Sequence, residues 1–316
     1  MRIVWAGLML AMLPTAALAQ FTVSAPQESP PAERTAMERI RVGVMVNAAG
    51  GPVFNVVATA PVPTDWPEQT VKLVNEDISS TVSSLTYRTI TGGGGLKQMV
   101  IEIPQLPAGQ DAKALLTFEV TRGVLKPPAE TENFTIPKKL DRVLQIDVGP
   151  SQYIESKNPK IVAAAKEAVA DKETDWQKVE GICNWVREHV AYKHSPLKGA
   201  ARALHDKDGD VDELASLFIA MCRAQKIPAR TVFMYGQVYA EFYLEDEDGK
   251  GHWFPCQAAP GHALGALTDL HPILQKGDNF KNPENPREKQ RFVTEYFTAS
   301  GRGKPQVKFV SEIIAE

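Results

Sequence analysis

Three thiols and six imidazoles carry most of the nucleophilic and acid–base chemistry this sequence can offer. The cysteines are Cys183, Cys222 and Cys256, and the histidines are His189, His194, His205, His252, His262 and His271. None of them falls in a His-Glu-x-x-His or paired-Cys arrangement, so the spacing points to no metal site and no cofactor. A thiol works as a nucleophile when a helix N-terminus or a cation stabilises its thiolate and an imidazole, itself held by a third polar group, takes its proton. Cys256 is bracketed by His252 and His262, and a Cys256–His262 couple is the one arrangement of that kind suggested by proximity in sequence.

Elements that would position such groups lie between Gly209 and Gln257. Leu214, Ala215, Leu217, Phe218, Met221 and Cys222 recur at helical spacing, which predicts a helix burying one stripe. Asp210 caps it, Glu213 completes a capping box, and Lys226 with Pro228 marks its end, after which a strand should follow. A second strand runs from Gln237 to Leu244. Val238, Ala240, Phe242 and Leu244 form its core face, while Gln237, Tyr239, Glu241 and Tyr243 share the other. That second face reads either as the wall of a peptide-binding cleft or as a solvated or inter-domain surface. Trp253, two pairs of residues before Gln257, shares the parity of that glutamine and floors the same cleft or packs as core.

These residues resemble the transglutaminase-like superfamily, whose core carries Gly-x-Cys, Ala-x-Leu-Phe and Arg-Ala-x-x-Ile-Pro-Ala-Arg on a papain-like fold. The match runs without a gap through Gly209, Ala215, Leu217, Phe218, Arg223, Ala224, Ile227, Pro228, Ala229 and Arg230. A His-x-aromatic-x-Glu strand and a Trp-led strand ending in Asp then correspond to Gln237-Val238-Tyr239-Ala240-Glu241 and Trp253-Phe254-Pro255-Cys256-Gln257. In that register the family's cysteine, histidine and aspartate fall on Val211, Gln237 and Gln257.

The resemblance therefore implies a degenerate triad. Valine has no lone pair and glutamine cannot take a proton, so nucleophile and base are lost together. Asp210, Asp212 and Glu213 would also oppose a thiolate placed among them. Cys222 cannot substitute, because eleven residues of helix put it roughly 16 Å from Val211 along the axis. Cys183 reads as part of another helix's apolar stripe. Cys256 is the candidate for a displaced nucleophile, although strand alternation turns it away from the cleft if Gln257 faces in. Tyr239, Glu241 and Trp253 are the expected binding residues.

Residues 1–19 read as a secretory signal, with Arg2, an apolar stretch from Ile3 to Leu13 and a small-x-small site at Ala17-Leu18-Ala19. The apolar run is too short to span a bilayer, so no membrane insertion is expected after cleavage. In an oxidising compartment three cysteines allow at most one internal disulfide; a Cys183–Cys222 bridge and small buried core thiols are both open readings. With 35 basic against 38 acidic side chains the chain is slightly acidic, and nothing suggests a nucleic-acid partner.

Residues 20–37, rich in Pro, Ser and Glu, read as a flexible lead-in. From 38 to 150 short alternating segments, including Ile40–Val46, Leu115–Val120 and Val143–Val148, predict an antiparallel β-sandwich of immunoglobulin-like type. Residues 151–316 are assigned to an α+β transglutaminase-like domain. It opens with an Ala-rich helix at Ile161–Ala170 and a Trp176–Val190 helix behind a Thr174-x-x-Gln177 capping box, and it closes with a strand over Gln306–Ile314. The expected function is that of an exported, periplasmic or secreted pseudoenzyme binding a protein or peptide. The alternative is an active cysteine amidohydrolase, protease or transglutaminase using Cys256.

Overall fold

The computed structural model describes residues 35–92 and 94–314. The expected signal peptide, and the expected lead-in up to residue 34, lie outside the described residues. Thr35, Ala36 and Met37 are already strand and not lead-in, because they pair with Gly123, Arg122 and Thr121.

Among the described residues six strands come first: β1 (Thr35–Asn47), β2 (Val53–Val62), β3 (Gln69–Ile78), β4 (Ser84–Thr89), β5 (Lys97–Leu106) and β6 (Asp111–Gly123). Their alternating aliphatic positions, among them Val42, Val44, Val46, Val56, Ala58, Ile101, Ile103 and Leu116, fill one shared core. Each buried valine or isoleucine there contributes about 1.5–3 kcal/mol relative to exposure. Residues 143–148, expected as a strand, form instead a short 3-10 helix, Leu144–Val148. The carboxylate of Asp141 accepts from the backbone N–H of Val143 at 2.9 Å and of Leu144 at 2.8 Å, which bends the chain into a turn before a strand can form.

The second half begins with α1 (Pro159–Val169) and α2 (Asp175–His189), the latter carrying the capping box of Thr174 and Gln177. β7 (Ala191–Tyr192), α3 (Ala200–Asp206) and β8 (Asp208–Gly209) lead into α4 (Val211–Ala224). The sheet beneath is built from β9 (Ala229–Met234), β10 (Gln237–Glu245), β11 (Gly251–Cys256) and β12 (Ile273–Lys276), in the order β11-β10-β9-β12 and antiparallel throughout. Its Ala229, Ala240, Phe242, Leu244, Phe254 and Cys256 pack with α1, α2 and α4 in a second core. Trp176 of α2 meets Phe242 and Phe254 edge-on, at 5.4 and 5.1 Å between centroids, and so fixes α2 against the sheet.

A small pair, β13 (Phe280–Lys281) and β14 (Lys289–Gln290), precedes β15 (Tyr296–Ser300) and β16 (Gln306–Ile314). These last two strands return to the first half. β16 pairs with β1 along nine residues, and β15 pairs with β2, completing two four-stranded sheets in the orders β16-β1-β6-β3 and β15-β2-β5-β4. The assignment of 151–316 to one domain is corrected at this end: residues 296–314 belong to the sandwich. Without them β1 and β2 would be edges exposing unpaired backbone groups, and the returning strands satisfy those groups. Among the described residues no helix is long and apolar enough to cross a membrane.

Candidate functional site

Helix α4 begins where the sequence places it. The Asp210 side chain accepts the N–H of Asp212 at 2.9 Å and the backbone N–H of Glu213, and the Glu213 side chain reaches back to the N–H of Asp210 at 3.1 Å, so that both halves of the capping box are present. The second oxygen of Glu213 accepts from the backbone of Lys198 at 2.7 Å; burial is the main reason its pKa is raised. Asp212 is engaged by Arg291, 2.5 Å away, from the segment preceding β15. The acidic residues at this helix start are therefore spent on capping and on an ion pair.

Val211 is the first residue of α4 and is half-buried. Since β9 follows α4 closely and runs back along it, the start of α4 shares one end of the sheet with the start of β10 and the end of β11. Gln237 opens β10, and its amide donates to Asp269. Gln257 directly follows β11. The backbone carbonyls of Gln257, Ala258 and His262 all accept from the guanidinium of Arg187 on α2, at 2.9, 3.3 and 2.7 Å, so one cation shapes the loop after β11.

The expected cleft face is an inter-domain interface. Tyr239 and Glu241 are each 1 % exposed, because the sandwich and the loops leading from it cover that side of the sheet. Tyr239 packs with Leu125, Val232, Met234, Leu267 and Ile273. Glu241 accepts from Arg230 at 2.9 Å and from Lys276 at 2.6 Å, and Lys276 also reaches Glu68 of the segment before β3 at 2.5 Å. Burial by itself would raise the pKa of Glu241, but Lys276 and Arg230 outweigh it and hold the carboxyl below its ordinary value. Arg122 of β6, fully buried, donates to the carbonyl of His271 at 2.7 Å. The role of Tyr239 and Glu241 as ligand contacts is corrected accordingly. Trp253 stays half-buried, with the Arg230 guanidinium 3.8 Å over its ring.

All three cysteines are free and buried. Cys256 is 0 % exposed, on the helix-facing side of β11, and its Sγ donates to Cys183 Sγ at 3.5 Å. Burial pushes the thiols of Cys256 and Cys222 well up. His262 is exposed and contributes its carbonyl to Arg187, while His252 pairs with Asp246 at 2.7 Å, so the Cys256–His262 couple does not form.

A cavity of about 300 Å³ opens between α2 and the loops at 127–131 and 262–264, with Pro127, Trp176, Glu180, Cys183, Arg187 and His262 among its walls. Sequence reasoning missed this cavity, Arg187 and Lys276. Arg187 stands among the polar residues of an ordinary amphipathic helix, and Lys276 lies in a segment without a motif; only the folded chain brings their partners to them.

Residues 162–258 match the family model of the transglutaminase-like superfamily. The solved structure of "a Putative Cysteine Protease from Cytophaga hutchinsonii" aligns at 17% identity over 88% of this chain and 91% of that one, with a TM-score of 0.52, and shares the fold. The periplasmic domain of TgpA from Pseudomonas aeruginosa, solved bound to ethylmercury, aligns at 13% identity over 69% of this chain and 89% of that one, with a TM-score of 0.34. No curated protein matches. The similarity to the transglutaminase-like superfamily thus covers residues 162–258, from α1 through α4 to the loop that follows β11.

Proposed function

We propose that this chain is an exported, catalytically inactive transglutaminase-like protein that binds a protein or peptide in the cell envelope. The observation that carries the reading is the first turn of α4. That turn is where the family's nucleophile falls, yet the side chain presented there is that of Val211, and the carboxylates of Asp210 and Glu213 already take backbone N–H groups of the helix start. Gln237, with its amide on Asp269, supplies no base. Export is supported by the leader read in residues 1–19. With Tyr239 and Glu241 withdrawn into the interface, the cavity beside Trp176 is the better ligand site. At about 300 Å³ it suits one or two peptide side chains, with Trp176 and Leu264 as apolar walls and Glu180 and Asn184 as polar ones.

The alternative, a cysteine enzyme using Cys256, is disfavoured by the burial of that thiol behind Cys183. Both readings meet one test. The full chain is incubated with glutamine-containing peptides and a primary amine, and separately used to retain peptides from a random library. The proposal expects no thiol-dependent turnover, retention of a peptide class, and weaker retention by Asn184→Trp, which fills the cavity mouth. Turnover abolished by Cys256→Ala would establish the alternative, and a library from which nothing is retained would sink the binding role. Val211→Cys with Gln237→His should introduce a thiol alkylated faster in the folded protein than in the unfolded chain; equal rates would count against the register.

A further inference from the structure

The thiol missing at the start of α4 has a counterpart elsewhere, as a pair. Cys183 on α2 and Cys256 at the end of β11 lie with their sulfurs 3.5 Å apart, 73 residues distant in sequence. The two are not equivalent. Both are buried in the same core, but Cys183 lines the cavity beside Arg187 and Glu180, whereas Cys256 is not part of that wall. The hydrogen bond donated by Cys256 is the main influence drawing the Cys183 thiol below its ordinary pKa, with burial opposing and Arg187 assisting. Burial first, and that same hydrogen bond second, hold Cys256 protonated. Such asymmetry suits a dithiol in which one sulfur attacks and the other resolves. Cys222, buried within α4 and not part of the cavity wall, is an internal control.

We propose that Cys183 and Cys256 form a hydroperoxide-reactive dithiol site, with Cys183 attacking a peroxide that enters the cavity and Cys256 resolving the product to a disulfide. In the first step the Cys183 thiolate attacks one oxygen of hydrogen peroxide. An S–O bond forms, the O–O bond breaks, and hydroxide leaves to be protonated to water, giving a sulfenic acid. In the second step the Cys256 sulfur attacks the Cys183 sulfur. The S–S bond forms, the S–O bond breaks, and the leaving oxygen departs as water with the Cys256 proton. The two thiols lose two electrons and two protons, and peroxide is reduced to two waters. A bond of about 2 Å requires the sulfurs to close by about 1.5 Å, a shift shared between two side chains. The bridge would tie α2 to β11 beside the Arg187-bound loop, and it does not depend on whether the protein binds a peptide.

The test uses the full chain, reduced, freed of reductant and exposed to hydrogen peroxide near neutral pH, then unfolded in alkylating agent and mapped by mass spectrometry. The expected product is a reductant-sensitive peptide joining Cys183 to Cys256, lighter by two hydrogens, with Cys222 fully alkylated. Before oxidation, iodoacetamide should label Cys183 about tenfold faster than Cys222 in the native protein. Cys256→Ala should hold the sulfenic acid at Cys183, where dimedone captures it, and Cys222→Ser should leave bridge formation intact. A bridge that includes Cys222, over-oxidation of Cys183 without any bridge, or no oxidation of the native chain at a peroxide concentration that converts the unfolded one would each overturn the proposal. Since the wild-type bridge is itself a readout, a variant that fails to fold does not remove the test.

Discussion

Lys276 Nζ lies 2.6 Å from Glu241 Oε1, and each of the two side chains is only 2 % exposed. The same ammonium is 2.5 Å from Glu68, so one cation joins the sheet of the second half to the sandwich. Lys276→Met leaves Glu68 buried without its cation, and should cost about 3–5 kcal/mol. Urea unfolding measures this. An unchanged midpoint would mean that the interface is held by its apolar contacts alone, and partial recovery on adding Glu68→Gln would locate the penalty in the orphaned carboxylate.

Two kinds of buried carboxyl give stability an opposed dependence on pH. Burial alone would raise Asp278, but Arg223, which donates to both its oxygens at 3.0 and 2.7 Å, and the hydroxyl of Ser151 hold it below its ordinary pKa. Stability from Asp278 is thus present above the ordinary carboxyl range and is lost as pH falls through the folded value. Asp147 behaves in the other sense. Burial pushes it up to about 7 against the pull of Arg223. Between the ordinary value of 3.8 and about 7 the folded protein keeps a proton that the unfolded chain has released, so this contribution declines as pH rises across that window. Asp147→Asn lacks that proton, and its stability relative to wild type should increase between about pH 4.5 and about pH 7.5. A difference that stays constant over the range would show that Asp147 is ionised throughout.

Gly181 of α2 lies against the backbone of α1. A Cβ added there would stand 2.4 Å from the carbonyl oxygen of Ala168. Alanine favours an isolated helix over glycine by about 1 kcal/mol. Here the backbone contact decides the sign, and Gly181→Ala should lower stability by about 1–3 kcal/mol. A stabilised variant would mean that α1 can move away without cost.

Arg187 holds the loop after β11 through the carbonyls of Gln257, Ala258 and His262. Arg187→Met keeps much of the stem and removes the donors, at a cost of about 1.5–3 kcal/mol. Hydrogen exchange should accelerate selectively across residues 257–264, with β9 and β10 little changed. Uniform acceleration over the whole chain would point to global destabilisation instead of loss of a local clamp.

Helix α4, its capping box and the strands at Gln237 and Trp253 were legible because each depends on neighbours within a few residues. The apolar stripe from Leu214 to Cys222 has to be buried wherever the helix packs, and Asp210 and Glu213 satisfy backbone groups of their own turn. Period-two alternation separated the faces of β10 equally well. What alternation does not tell is what covers a face. Tyr239 and Glu241 have the residue types of a ligand-binding wall, yet the sandwich lies against them. Residues 143–148 alternate as a strand would, and a single side chain, Asp141, redirects them.

The sequence by itself determined the α+β core, the sandwich before it, and the absence of a thiol or imidazole at positions 211, 237 and 257, since residue identity and local periodicity are properties of the chain alone. Tertiary structure decided which residues meet across long separations. It brought β15 and β16 back to β2 and β1, placed Lys276 between Glu68 and Glu241, and set Cys183 beside Cys256. Those contacts depend on how whole faces pack and on which buried charges must find partners, and such conditions exist only once distant segments have been brought together.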